Sequence, residues 1–430
     1  MDAPPPFSHD DHDDVDLVGN ASPLYSPEAA ATERVLQTSA DAHPPSPFHP
    51  LHHQTSAPSS AQTFVYRNNF FETDLGPNVW GLRQPAYGHN AIVHGSVKLA
   101  QKCTHVFRLE ATLLGVAKVT ASTRGMITDV LERPLVSSQV TLFTSCPSSG
   151  YCPTDHTFTF TIPFPSFVNG ETSPLPPSYM TWSPGLSCEI LYSLRIDVSR
   201  KGLRRHENTT IPVLYLPKTW PSLPSSPSEP FKNIALPPIW PADACPRFKA
   251  RAVVPSVQLI LPATPIHPSG ALLPVTLTFT CPAAPALVRL LAQSASIALV
   301  KRTIAHTKEG ALVAGRETPL AKGTPTGEDS AREGVARAHY ALALGAPGKE
   351  QSWRVHDALE VAYFVRVTLR TGGSATNYVP SYSHDECVYV ATEPGGTRER
   401  EELQLGGTSA PAIGMSHPRL ELRPTHSMTW

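Results

Sequence analysis

Residues 187–200 read SCEILYSLRIDVSR. Cys188, Ile190, Tyr192, Leu194, Ile196 and Val198 fall on one side of an extended chain. Glu189, Ser193, Arg195, Asp197 and Ser199 fall on the other, with Leu191 the one apolar exception. A period of two over this length marks a half-buried antiparallel strand, because successive side chains of a strand point to opposite faces. Lys201-Gly202 follows and supplies a hairpin turn before IPVLYLP. The same alternation recurs upstream in Val93, Gly95, Val97 and Leu99, in Phe107, Leu109, Ala111 and Leu113, and in Phe158, Phe160, Ile162 and Phe164. Downstream it returns in Val275, Leu277 and Phe279 and in Tyr363, Val365, Val367 and Leu369. The chain therefore reads as all-β, with two tandem antiparallel β-sandwiches of immunoglobulin-like type.

Composition agrees with that reading. The 430 residues include 46 prolines, about twice the average share, and proline removes a backbone donor and clashes inside helices. Lys and Arg number 35 against 36 Asp and Glu, a net charge of −1, which excludes the globally basic surface of a non-specific nucleic-acid binder. No apolar run reaches the 18 residues a membrane helix needs. The opening MDAPPPFSHDDHDD lacks the basic-then-apolar order of a secretory signal, so a cytoplasmic protein with reduced thiols is expected. Cys146 and Cys152 are the closest of seven cysteines and the one candidate disulfide pair.

Five segments follow from the composition shifts. Residues 1–60 are Pro-, Asp-, His- and Ser-rich and read as a disordered tail. A first sandwich spans 61–216, a Pro-rich linker 217–246, a second sandwich 247–393 and a polar disordered tail 394–430. Within the second sandwich, 307–350 is rich in Gly, Ala and Glu and reads as strands interrupted by a long mobile loop. ALVRLLAQ (286–293) reads as a connection of one or two helical turns.

Motifs for catalysis are missing: the sequence holds no HExxH, GxSxG, GxxxxGK[ST] or GxGxxG. His356-Asp357 and His384-Asp385 have no nucleophile at a recognisable spacing, and Cys103, Cys188, Cys281 and Cys387 sit in or beside strands, where a free thiol behaves as a small apolar group. The residues point to no catalytic, cofactor or metal site.

WGLRQPAYGHNAIVHGSVKL (80–99), FTFTIPFP (158–165) and LPPSYMTWSPGLSCEILYSLRIDVSRKGLRR (175–205) occur in that order. Together they resemble the N-terminal sandwich of the fungal arrestin-like (α-arrestin) family. The matching residues are Gly95, Val97 and Leu99, Phe160 to Pro165, Leu175 to Tyr179, Tyr192, and Arg200 to Leu203. YFVRVTLR and SHDECVYVAT are similar to the strand pair that closes the family's second sandwich. The resemblance covers 80–216 and, more faintly, 247–392. It implies the arrestin fold and a non-catalytic adaptor that docks on membrane cargo, a transporter or receptor. In the family, Pro-Pro-x-Tyr motifs recruit a ubiquitin ligase through its WW domains and lead the cargo into endocytosis. Such an adaptor would be cytoplasmic and recruited to the plasma membrane or endosomes. The alternative is a structural scaffold subunit of a soluble trafficking or signalling complex; a hydrolase built on a sandwich ranks last.

Two sets of candidate site residues emerge. Pro176, Pro177 and Tyr179 match a WW ligand, set against a structural role at the entry to the long strand; Pro23 and Tyr25 form an imperfect second copy. Arg200, Lys201, Arg204 and Arg205 make the densest basic cluster and are candidates for anionic lipid or phosphate, set against a solvated hairpin tip. Ser-Pro pairs at 22, 26, 46, 173, 183 and 226 are candidate proline-directed phosphorylation sites.

Overall fold

In the computed structural model the described residues run from 62 to 421, apart from 125, 146–155, 203–205, 222–230, 240–254, 307–311, 333, 357, 371–380 and 406–408. The candidate residues Pro23, Tyr25, Arg204 and Arg205, the Cys146/Cys152 pair and the 1–60 tail lie outside them.

The first sandwich is built from β1 (Thr63–Arg67), β2 (Phe71–Pro77), β3 (Ala86–Tyr87), β4 (Ile92–Leu99), β5 (Val106–Thr123), β6 (Met126–Thr144), β7 (Thr157–Pro163), β8 (Tyr179–Ser183), β9 (Leu186–Arg200) and β10 (Glu207–Tyr215). One sheet has the order β1-β2-β4-β7, the other β3-β10-β9-β5-β6, with β8 paired to β9. The second sandwich contains β11 (Phe231–Ala235), β12 (Ser256–Pro262), β13 (Ile266–Pro268), β14 (Leu272–Thr280), helix α1 (Pro285–Ser294), β15 (Ala295–His306), β16 (Leu312–Lys322), β17 (Thr324–Arg332), β18 (Val335–Ala343), β19 (Trp353–Val355), β20 (Leu359–Leu369) and β21 (Tyr382–Ala391). Its sheets run β11-β12-β14-β18-β17 and β13-β21-β20-β15-β16, with β19 paired to β20.

Those two orders are the same path walked twice. β1-β2-β4-β7 corresponds to β11-β12-β14-β18, and β3-β10-β9-β5-β6 to β13-β21-β20-β15-β16. Even the short parallel pairing recurs, β3 with β10 and β13 with β21. The second copy adds β17 on an edge and α1 between β14 and β15.

The alternating faces form the cores. Along β9, Leu186, Cys188, Ile190, Tyr192, Leu194, Ile196 and Val198 are all buried. Val93, Val97 and Leu99 of β4 and Phe160 and Ile162 of β7 pack with them. Gly95 belongs to this face because the Phe160 ring passes over it: a Cβ there would lie 2.4 Å from Phe160 Cζ. One expected position is corrected. Phe107 is only half-buried and Val106 takes the core place, because the register slips between Val106 and Arg108 and a one-residue bulge turns the next side chain to the other face.

Three segment boundaries are corrected as well. The 217–246 stretch is not all linker: β11 is a Pro-free piece of it and pairs antiparallel with β12 as an edge strand, and Leu236 and Ile239, just after it, are buried in the second core. In 307–350, residues 312–332 form the edge strands β16 and β17, and β18 follows. β17 faces solvent along most of its length, so its sequence shows no apolar alternation. The 394–430 segment is not all tail, since it forms helix α2 (Arg398–Gln404) and a strap, 409–421, that returns to the first sandwich. Helix α1 buries Val288, Leu291 and Ala292 at helical spacing, with Pro at its start.

Both sandwiches fall in one compact unit, Ser59–Trp430. The apolar cluster of the first sandwich continues without a break into Ala305, Val355, Ala358 and Leu359 of the second, and Tyr179 and Trp353 pack against both clusters.

Candidate functional site

The seam between the sandwiches is organised by β8. Leu175, Pro176, Pro177 and Ser178 are buried ahead of it. The Tyr192 hydroxyl donates to the Pro176 carbonyl at 2.6 Å, and the Ser178 N–H donates to the Tyr215 carbonyl at 2.7 Å. Burial pushes the Tyr192 phenol well above its ordinary pKa, so it stays a donor. The two prolines, which cannot donate, enter the core where no N–H has to be satisfied.

Tyr179 then leaves the first sandwich and pins the second. Its hydroxyl lies 2.8 Å from Thr303 Oγ1, and its ring meets Trp353 edge-on at a centroid separation of 5.0 Å. The Lys301 ammonium sits 5.9 Å above the Tyr179 ring and 5.7 Å above that of Tyr363. Lys301 also donates to Glu350 at 2.9 Å, and Tyr363 donates to the same carboxylate at 2.7 Å. Burial and the Glu350 charge raise the Tyr363 pKa well above the phenol range. A WW domain needs an exposed, extended Pro-Pro-x-Tyr, so the WW reading of Pro176, Pro177 and Tyr179 is corrected to a structural one. Arg316 of β16 adds a second bridge, its Nη1 donating to the Trp182 carbonyl at 2.8 Å and the Thr181 hydroxyl at 3.3 Å.

A third junction closes the chain on itself. Lys218 lies 2.9 Å from Glu401 and 3.9 Å from Glu393. Burial raises the Glu393 pKa, with Lys218 acting against it. The other oxygen of Glu401 accepts the Ala410 N–H at 2.8 Å, so one carboxylate ties the linker, α2 and the strap together. The strap goes on through Ser409 N–H to the His89 carbonyl (3.2 Å) and Ala412 N–H to the Leu216 carbonyl (2.8 Å), and it buries Leu420 beside Leu82, Ala86, Leu214 and Leu216. Ser409 and Pro411 line a cavity of about 290 Å3 together with Phe64, Trp80, Tyr87 and His94.

The basic cluster is taken apart. Arg200 has a side chain only 10% exposed; its guanidinium lies 4.8 Å above the Phe70 ring and 3.5 Å from Glu207. That geometry corrects the lipid or phosphate role for Arg200, whose cation is already stacked and paired. Lys201 remains at the exposed turn. Sequence reasoning missed Thr303, Arg316, Trp353, Lys218 and Glu401. Each acts through a partner more than a hundred residues away in the chain, and no local spacing marks such a pair.

On the outer face of the second sandwich, Arg302 and Arg366 alternate with Glu317 and Asp385 at 2.6–2.9 Å, and Arg302 covers the Phe364 ring. Hydrogen bonds from Arg366, and next to them Arg302, hold both carboxyls below the usual carboxylate range. A depressed folded-state pKa means the unfolded chain binds more protons. The ladder's stabilisation is therefore present above about pH 4 and lost as pH falls through the folded values. Arg366→Gln is expected to flatten the fall of the urea midpoint between about pH 5 and pH 3. A variant with the wild-type acid slope would assign that slope to other groups.

The fold and its seam define the class: a tandem β-sandwich protein whose halves repeat one topology. A scan against protein-family models finds no match, and a search of curated proteins finds none. Among the described residues, no helix is long and apolar enough to cross a membrane, and no group of three or more His, Cys, Asp or Glu is placed to hold a metal ion.

Proposed function

We propose that the chain is an arrestin-like adaptor without catalytic chemistry. It holds a membrane cargo protein, a transporter or receptor, on its sheet faces and loops at the cytoplasmic side, and it leads that cargo to ubiquitin-ligase-dependent endocytosis. One observation supports this most: two sandwiches of the same topology are joined by a shared apolar core and side-chain pins, an arrangement suited to presenting surfaces in a set geometry. The blocks that carry the family resemblance fall on β4, β7, β8 and β9 of the first sandwich. Because Pro176 and Pro177 are buried, the ligase link in this reading rests on the N-terminal segment that contains Pro23 and Tyr25.

The test is cross-linked co-purification of the tagged full chain from membranes, beside a chain lacking residues 1–60. The expected result is capture of a polytopic transporter or receptor by both forms, and of a WW-domain ubiquitin ligase by the full chain alone. A stoichiometric complex with one soluble partner and no membrane cargo would replace this reading with the scaffold.

A further inference from the structure

Leu191 breaks the alternation of β9. It faces outward, away from the core that Ile190 and Tyr192 enter, and it is half-buried. β5 breaks step in the same place: Leu114 and Val116, between the buried residues Leu113, Gly115 and Ala117, also face outward and are half-buried. The register joins these exceptions. Leu191 pairs with Val116, and Val116 with the exposed Pro134 of β6. One row along, Ser193 pairs with Pro212 and with Leu114, and Leu114 with Ser137. Side chains opposite one another in neighbouring strands share a face, so an uncharged band two rows wide crosses the outside of this sheet. Glu189, Lys118 and Glu132 border it on one side, and Arg195, Thr112 and Gln139 on the other. At its β6 end Arg133 pairs with Glu171.

The other end of the band runs into the strap. Met180 of β8 pairs with Glu189, which puts it one diagonal step from Leu191, and it packs against the cluster of Leu214, Leu216 and Leu420. The strap's last turn, Pro418–Glu421, lies against β8. The buried Gln84 amide donates to the Leu420 carbonyl at 3.3 Å, so the described residues end pinned at the rim of the band. The next nine, 422–430, read LRPTHSMTW. They hold Leu422, Met428 and Trp430, and at neutral pH Arg423 is their one charged side chain. From Met180 to Pro134 is three strand spacings, about 15 Å, while nine extended residues span up to about 30 Å. We propose that residues 422–430 cover this band, with Leu422, Met428 and Trp430 meeting Leu191, Val116 and Leu114. The strap would then continue across the sheet an apolar interface that Leu420 begins, and the face would be closed in the free chain.

The test needs no cargo. In the full chain, Trp430 is replaced by the photo-reactive benzoylphenylalanine. Irradiation should give a cross-link within one chain, to a peptide that contains Leu114, Val116 or Leu191. A chain stopped after Glu421 should bind an apolar fluorescent dye about threefold or more above the full chain, and Leu191→Asp in that shortened chain should abolish the increase. Leu191 faces outward, so neither change should break up the sandwich, which melting of both variants checks. Equal dye binding by the full and shortened chains overturns the proposal. So does an increase that Leu191→Asp leaves unchanged, since the dye would then report an opened strap. Cross-links between two chains overturn it by giving the band to a second copy. Absence of any cross-link to β5 or β9 overturns it by leaving the band to an outside partner.

Discussion

Replacing Leu359 by alanine is expected to lower the stability of both sandwiches by about 2–5 kcal/mol, the usual range for truncating a fully buried leucine. Leu359 opens β20 of the second sandwich, yet it is 0% exposed within the first sandwich's cluster, beside Val355 and Ala358. A cavity there removes contacts from both sides at once. Amide exchange should therefore show β9 and β20 losing protection together, by the same free energy. Loss confined to β20, with β9 as protected as before, would mean that the cluster is continuous only in outline. Tyr179→Phe should act in the same direction but more weakly, by about 1 kcal/mol, because it removes one hydrogen bond and keeps the ring on Trp353.

Gly88→Val is expected to detach the strap. A Cβ at Gly88 would lie 2.2 Å from the Ser409 carbonyl oxygen and 2.8 Å from that of Ala410, both backbone atoms that no side-chain rotation can move. Release would uncover Leu82, Ala86, Leu214 and Leu216 and strand Leu420 in water. The expected loss is about 2–4 kcal/mol, together with new protease cleavage after residue 405. Truncation of the chain after Leu405 should cost a similar amount, and combining truncation with Gly88→Val should cost little more than either, because both remove the same contacts. Additive losses would show that Gly88→Val damages the first sandwich itself rather than its cover.

Much of this fold can be read from local pattern. The faces of β4, β7, β9, β14 and β20 are visible because burial on one side forces every second residue to be apolar. Where that condition fails, the sequence falls silent. β17 is an exposed edge with no buried face to mark it, β11 hides among prolines, and the bulge at Phe107 shifts the parity of β5 by one residue without changing its composition. The repeat of one topology in both halves is likewise invisible. Strand order is set by turn geometry and by pairing across long separations, which alternation along one strand does not record. The seam was the least legible part. Pro176, Pro177 and Tyr179 spell a recognition motif in one dimension, and only the positions of Tyr192, Thr303 and Trp353 turn it into an internal joint. The basic cluster failed for a related reason, since Phe70 of the β1–β2 turn and Glu207 of β10 engage Arg200.

The claim on which this account turns is that the two sandwiches form one cooperative body. Scanning calorimetry of the full chain tests it most directly. The account predicts a single unfolding transition whose calorimetric and van't Hoff enthalpies agree, whereas two resolved transitions, one for each sandwich, would contradict it.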